Sequence, residues 1–155
     1  MTRDEEDRHY MGQALEMAQQ ALEVGEVPIG AVVVLNNHVL ASSHNLRETQ
    51  NDPTAHAEIV AMREAASKLC TWRLTGCRVY VTCEPCPMCA GALVNARVDE
   101  VIYGCADPKA GACESLYRIC TDERLNHRPQ VRSGVRSAEA AGLLKKFFES
   151  KRALV

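Results

Sequence analysis

The fold of this 155-residue chain is set by residues 77–96, CRVYVTCEPCPMCAGALVNA. β-Branched and aromatic residues over 77–82 predict a strand. A Glu-Pro break follows, and a proline at an early helical position is compatible with a helix over 86–96. Cys86 and Cys89 stand three positions apart at the start of that helix, so their sulfurs share one face. Because a helix N-terminus stabilises thiolates, this unit is well suited to present two metal-binding sulfurs.

A histidine and a glutamate occur together in a second stretch, His56-Ala57-Glu58. Asp52 fits a helix N-cap, and the proline after it fits the first helical position, so we predict a helix from there to about Lys68. The histidine then lies in the first turn. Residues two apart do not share a helix face. We therefore do not expect His56 and Glu58 to be ligands of the same metal ion.

The two stretches together provide one imidazole, two thiols and a carboxylate. Zinc prefers nitrogen and sulfur ligands in tetrahedral geometry, and three protein ligands leave the fourth position to water, as in catalytic sites. We therefore predict one zinc ion per chain, bound by His56, Cys86 and Cys89, with Glu58 carrying protons beside the water. The order His-x-Glu, then Pro-Cys-x-x-Cys, is the known signature of zinc-dependent nucleoside deaminases.

One further cysteine could be mistaken for a ligand. Cys83 forms Cys-x-x-Cys-x-x-Cys with the two predicted zinc ligands, but an iron–sulfur run of that kind needs a fourth cysteine where Leu93 stands. We expect Cys83 to lie outside the ligand set.

The rest of the chain alternates between helical and strand patterns. We predict helices over 4–25, near 115–119 and from Ser137, and strands over 29–35, 38–44, 100–105 and 130–135. The pair Asn36-Asn37 predicts a turn between the first two strands. This alternation is typical of one α/β domain, residues 1–155, with helices layered on a mixed sheet.

Composition is that of an ordinary globular protein, with 46% hydrophobic and 25% charged residues. No run approaches the roughly 18 apolar residues of a membrane span, so no membrane partner is expected. The N-terminus lacks the apolar core of a secretory signal. We therefore expect a cytoplasmic location, where the eight cysteines would be ligands or free thiols rather than disulfides.

Charge is distributed unevenly along the chain. Residues 1–117 contain nine basic and sixteen acidic residues, whereas residues 118–155 contain nine basic and four acidic ones. A basic segment on an acidic body could contact phosphates. The alternative is a solvated basic helix face, and charge alone does not decide between them.

Several stretches resemble the bacterial tRNA adenosine deaminase family, which makes inosine at the wobble position of a tRNA anticodon. The resemblance covers essentially the whole chain and is carried by residues 26–33 (EVPIGAVV), 51–58 (NDPTAHAE), 80–92 (YVTCEPCPMCAGA), 107–112 (DPKAGA) and 125–128 (LNHR). The last two stretches distinguish this family from relatives that act on small molecules.

The resemblance implies a cytidine-deaminase-like fold with three layers, in which helices flank a five-stranded mixed sheet. It also implies a homodimer that binds the tRNA anticodon stem-loop with residues of both subunits. Asn45 would hydrogen-bond the base and sugar, and Asp107 would contact a neighbouring nucleotide. Further RNA contacts are expected from two places, which are Asn126-His127-Arg128 and the C-terminal helix with Phe147 and Phe148.

Two other functions remain open from the sequence. One is deamination of a free base or nucleoside such as guanine, cytosine or cytidine. The other is a non-catalytic zinc-stabilised binding module, which would have no use for Glu58 beside an open metal position. For Asn126 and His127 the alternative to an RNA contact is that they cap local backbone groups.

Overall fold

A single five-stranded sheet forms the centre of the computed structural model, which describes residues 1–153. The strands are β1 (Gly30–Leu35), β2 (His38–His44), β3 (Arg78–Cys83), β4 (Glu100–Cys105) and β5 (Gln130–Arg132). The helices are α1 (Arg3–Glu23), α2 (Arg47–Gln50), α3 (Ala57–Leu69), α4 (Pro87–Asn95) and α5 (Ser137–Ala153), with a 3-10 turn at Ile119–Thr121. The strand order is β2-β1-β3-β4-β5.

The sheet is mixed, as predicted. β1 pairs antiparallel with both β2 and β3, whereas β3, β4 and β5 are mutually parallel. Asn36 and Asn37 both have positive φ, 51° and 61°, which gives the β1–β2 hairpin the tight turn that the sequence predicts. Because β2, β3 and β4 run in the same direction, the segments that leave them meet at one edge of the sheet.

Helices cover both faces of the sheet. One face packs α3, α4 and the 3-10 turn against Ala31, Val33, Val79 and Val81, and the other packs α1 and α5 against Val32, Val34, Tyr80 and Ile102. Neighbouring strand residues therefore alternate between two buried layers, which explains why β1 and β3 are apolar almost throughout. The predicted cytidine-deaminase-like three-layer fold is confirmed.

Two of the predicted helices are wrong in position. The second helix begins at Ala57, with His56 as its N-cap, and not at Asp52. The reason is local, because the Asp52 carboxylate accepts the backbone N–H and the hydroxyl of Thr54 in a separate turn. No helix forms over residues 115–119 in the described chain, where turns lead to the 3-10 turn. The predicted loop after β2 contains the short helix α2.

Part of the basic C-terminal segment is used inside the protein. Arg132 donates to the buried carboxylate of Asp7 at 2.7 Å and to Glu100 at 2.6 Å, and the Tyr80 hydroxyl also donates to Asp7. These contacts join α1, β3, β4 and β5. The positive charge of residues 118–155 is therefore only partly available to a partner, and the last two residues of that segment lie outside the described residues.

Candidate active site

The predicted zinc ligands come together at the edge where β3 ends. His56 and Cys86 are the N-caps of α3 and α4, and Cys89 lies in the first turn of α4. His56 Nδ1 is 3.5 Å from the sulfur of each cysteine, and all three ligand atoms lie within 4.8 Å of one another. Among residues 1–153, this is the group of three or more His, Cys, Asp or Glu side chains that could hold a metal ion.

The spacing of these three atoms fits a tetrahedral zinc ion. Bonds of about 2.05 Å to nitrogen and about 2.3 Å to sulfur, at tetrahedral angles, place the two atoms roughly 3.6 Å apart. One imidazole and two thiols are also ligands that suit zinc, whereas hard cations such as magnesium and calcium prefer oxygen ligands. The geometry and the chemistry of the ligands agree.

The two thiols and the imidazole change one another's pKa values. Hydrogen bonds from Cys89 and from His56 lower the pKa of the Cys86 thiol to about 4. The same hydrogen bond to Cys86, together with burial, raises the pKa of Cys89. The bond to Cys86 raises the pKa of His56. A metal ion would replace these protons, because ligands bind it in their deprotonated form.

Glu58 is buried beside the three ligand atoms, with 4% of its surface exposed. Burial raises the pKa of its carboxyl group, although its own backbone N–H and His56 partly oppose this effect. It lines a cavity of about 200 Å³ together with His56 and Cys86. A buried carboxyl that opens on a cavity next to a metal group is placed to accept and return protons.

Two loops form the side walls of this cavity. Asn45 and Arg47 come from the segment after β2, and Asp107 and Ala110 come from the segment after β4. Asn45 is buried and accepts the Arg47 N–H through Oδ1 at 3.0 Å, while Asp107 Oδ1 accepts the N–H groups of Lys109 and Ala110. Both of these predicted substrate residues therefore lie at the cavity.

Each loop is anchored by a buried carboxylate that the sequence analysis did not single out. Glu26 accepts the N–H groups of Glu48 and Thr49 and the Thr49 hydroxyl. Glu84 accepts four backbone N–H groups of the loop after β4. Burial alone would raise the pKa of Glu84, but the hydrogen bonds from Ser115 and the backbone lower it to about 2.

The comparison with known proteins shows the family. A family model for MafB19-like deaminases matches residues 5–152. The chain is 49% identical to the tRNA-specific adenosine deaminase of Bacillus subtilis over 95% of its own length and 91% of that protein. This chain belongs to the tRNA-specific adenosine deaminases. The corresponding protein of Agrobacterium fabrum is 47% identical over 95% of this chain and 97% of its own.

A solved structure of a family member has the same fold. It comes from work on A-to-I editing by tRNA:A34 deaminases at the wobble position of transfer RNA, and it is 47% identical, with a TM-score of 0.85. The match covers 88% of this chain and 99% of that one. Across residues 1–153, no helix is both long enough and apolar enough to pass through a bilayer.

In the present chain, Cys83 is separate from the three predicted ligands. It is buried at the end of β3 in the layer that packs against α1 and α5, beside Cys105 of the parallel strand β4. It lines the cavity but does not belong to the metal-binding group. All eight cysteines are free thiols, and Cys70 is exposed.

A second, larger groove adjoins the cavity and shares Asp107 with it. This groove, of about 770 Å³, lies between the loop after β4 and α5 and is lined by Pro108, Lys109, Leu144, Lys145, Phe148 and Lys151. We call it the α5 groove. Phe148 is 49% exposed, whereas Phe147 is buried. Of the two predicted aromatic contacts, only Phe148 presents its ring to this surface.

The stretch Asn126-His127-Arg128 lies at the other edge of the sheet. It precedes β5, whose first residue pairs with the first residue of β4, and so it is remote from the cavity of the same chain. His127 Nε2 lies 2.6 Å from the Val98 carbonyl, and Arg128 donates to the carbonyls of Glu123 and Leu125. Two of the three side chains, those of His127 and Arg128, therefore bind backbone carbonyls, whereas the alternative interpretation named Asn126 and His127.

Proposed function

We propose that this chain is a zinc-dependent hydrolase that deaminates adenosine to inosine at the wobble position of a tRNA anticodon loop. One observation carries the chemistry: His56 Nδ1 lies 3.5 Å from both thiol sulfurs, and the buried Glu58 opens on the same cavity. Membership of the family supports the choice of substrate, since its relatives are named for that specificity.

His56, Cys86 and Cys89 would hold the zinc ion, one per subunit. When bound, zinc supplies a water molecule whose pKa is lowered to about 7, so that it can attack an electron-poor ring carbon. Glu58 takes the proton from the attacking water. It gives this proton to the ring nitrogen. It then takes the second proton from the hydroxyl now on the ring carbon and gives it to the amino group, which leaves as ammonia, so Glu58 acts in turn as a general base and a general acid.

The walls of the cavity would bind the nucleoside. Asn45 would hydrogen-bond the base and sugar, and Asp107 would contact a neighbouring nucleotide at the mouth of the cavity. Enzymes of this chemistry need an unstacked base, which an anticodon loop offers at little cost. The α5 groove would receive the flanking nucleotides, with Phe148 as a stacking surface and its lysines as phosphate contacts.

A homodimer would explain the remaining predicted contacts. Asn126, His127 and Arg128 lie far from the cavity of their own chain, so they could reach RNA bound there only from the partner subunit. A tRNA substrate would also support a cytoplasmic location.

The decisive experiment compares substrates. Purified protein with zinc is incubated with an anticodon stem-loop and, separately, with free adenosine, cytidine, cytosine and guanine. We expect inosine in the stem-loop and little product from the free compounds. Rapid turnover of a free base or nucleoside, with affinity for the stem-loop independent of salt, would favour a small-molecule deaminase instead.

A further inference from the structure

Glu84 has a larger role in the site than its position between a strand and a metal-binding helix suggests. Its side chain is buried, and five hydrogen bonds converge on it. Oε1 accepts the Asp107 N–H at 3.0 Å and the Ser115 hydroxyl. Oε2 accepts the N–H groups of Cys113, Glu114 and Ser115 at 2.8 to 3.1 Å.

These donors all belong to the segment over residues 107–115, which we call the β4 loop. The loop has no regular secondary structure of its own, so a single carboxylate takes the place of the backbone pairing that a helix or sheet would provide. The two ends of the loop, at Asp107 and at Ser115, are both bound to Oε1. Glu84 therefore fixes both ends of the loop to the end of β3.

The β4 loop also packs closely against the carboxylate. A Cβ added at Gly111 would overlap the carboxyl group of Glu84 and the Asp107 carbonyl oxygen. The loop thus wraps directly onto the carboxylate, and only glycine fits at this position. Any shift of Glu84 must move the loop as well.

Asp107 is the charged side chain that the loop presents to the cavity. Its Oδ1 is occupied by the N–H groups of Lys109 and Ala110, so the side chain is held against its own loop. Asp107 also lines both the cavity and the α5 groove. Glu84 accepts the backbone N–H of Asp107. This bond links the buried carboxylate directly to the residue that lies at the junction of the cavity and the α5 groove.

We infer that Glu84 is a positioning residue, which fixes Asp107 at the junction of the cavity and the groove so that the loop binds the nucleotide next to the target base. This inference rests on the proposed function. Both carboxylate oxygens of Glu84 are bound to the β4 loop, so although the side chain lines the cavity, in this role it acts on the RNA through Asp107. Its effect should therefore appear in the binding of the RNA rather than in the chemical step.

Glu84→Gln tests this role with little change in shape. The amide oxygen can keep the three N–H bonds now made to Oε2, and the amide NH₂ can donate to the Ser115 hydroxyl. The NH₂ group then faces the Asp107 N–H, and that one bond is lost. We expect about tenfold faster hydrogen exchange at the Asp107 amide and about tenfold higher KM for the stem-loop, in line with one lost hydrogen bond.

The same variant should keep its zinc content, and its kcat should stay within about twofold, because no interaction specific to the transition state is removed. Glu114→Gln is the matched control, since Glu114 lies in the same loop and its Oε1 accepts the Tyr103 hydroxyl, which a glutamine can also accept. The control should show wild-type exchange at Asp107 and wild-type KM.

Three results would overturn the inference. They are unchanged exchange at the Asp107 amide, a lower kcat with unchanged KM, and loss of zinc, the last of which would tie Glu84 to the metal site. If Glu84→Gln does not fold, Ser115→Ala removes one of the five bonds and should give the same changes at about threefold, and no change in this variant would also refute the role. Should the wild-type enzyme fail to act on the stem-loop, the proposed function fails, while exchange at Asp107 still tests whether Glu84 holds the loop.

Discussion

The two edges of the central sheet use their polar side chains differently. At the edge where β3 and β4 end, His56, Glu58 and Cys86 open on a shared cavity. At the other edge, His127 and Arg128 bind backbone carbonyls of their own loop and of the turn before β4. Side chains that satisfy backbone groups stabilise the fold, whereas side chains that converge on a cavity remain able to bind a ligand. Four predictions test this difference, in order of decreasing effect.

Removal of a metal ligand should have the largest effect. Cys86→Ala should abolish zinc binding and activity, because two ligands cannot hold the ion in a tetrahedral site. Cys83→Ala is the matched control, because Cys83 lies three residues earlier and also lines the cavity, and it should keep about one zinc per chain. Metal analysis of both purified variants decides the matter, and loss of zinc from Cys83→Ala would refute the ligand assignment.

Glu58→Ala should lose turnover while it keeps the fold and the zinc. We expect a decrease in kcat of about 10²- to 10⁴-fold, which is typical when a general acid–base is removed. Single-turnover deamination of a stem-loop, together with metal analysis, measures both properties. Activity within about tenfold of wild type would mean that another group carries the protons.

Two neighbouring lysines on α5 allow the α5 groove to be tested separately from another surface of the same helix. Lys145 lines the α5 groove, whereas Lys146 lines a different cavity between α1 and α5. Lys145→Ala should weaken stem-loop binding about fivefold, as for one exposed ionic contact. The slope of the logarithm of the binding constant against the logarithm of the salt concentration should also become shallower by about one. Lys146→Ala should bind as wild type. Equal effects of the two variants would argue against the groove as the RNA path.

Arg128→Ala should have the smallest effect. Its guanidinium already binds two backbone carbonyls, so we expect affinity for the stem-loop to fall less than in Lys145→Ala, with unchanged zinc content. Binding titrations at two salt concentrations are sufficient. A decrease as large as that of Lys145→Ala would show that the far edge reaches the RNA, and it would support contacts from a partner subunit.

The convergence of His56, Cys86 and Cys89 could be predicted from the sequence because its signal is local. Both motifs were predicted to lie at helix starts, and His56 and Cys86 are indeed the N-caps of α3 and α4. Strands β2 and β4 have the predicted bounds, since each is a short run between clear turn signals. The start of α3 was predicted too early because Asp followed by Pro is a common helix start, whereas here the Asp52 carboxylate binds Thr54 in a separate turn.

The anchors of the loops could not be predicted, because their partners are distant in sequence. Glu84 binds backbone groups 23 to 31 positions away, and no spacing pattern marks a backbone N–H as a partner. The same contacts explain the missing helix near residue 115, since the carboxylate takes the N–H groups of Cys113, Glu114 and Ser115. The sequence also does not show which of Lys145 and Lys146 lies on the side of α5 that faces the cavity.

The position of β1 between β2 and β3 has a consequence for the order of folding. The hairpin of β1 and β2 closes through a two-residue turn, which takes microseconds in peptides. His56 follows the hairpin and Cys86 follows β3, 30 positions later, so the ligands meet only after β1 has found β3. Such nonlocal pairing is slow. Zinc uptake would then require β1 and β3 to be paired, and the bound ion would stabilise the folded chain in which they are.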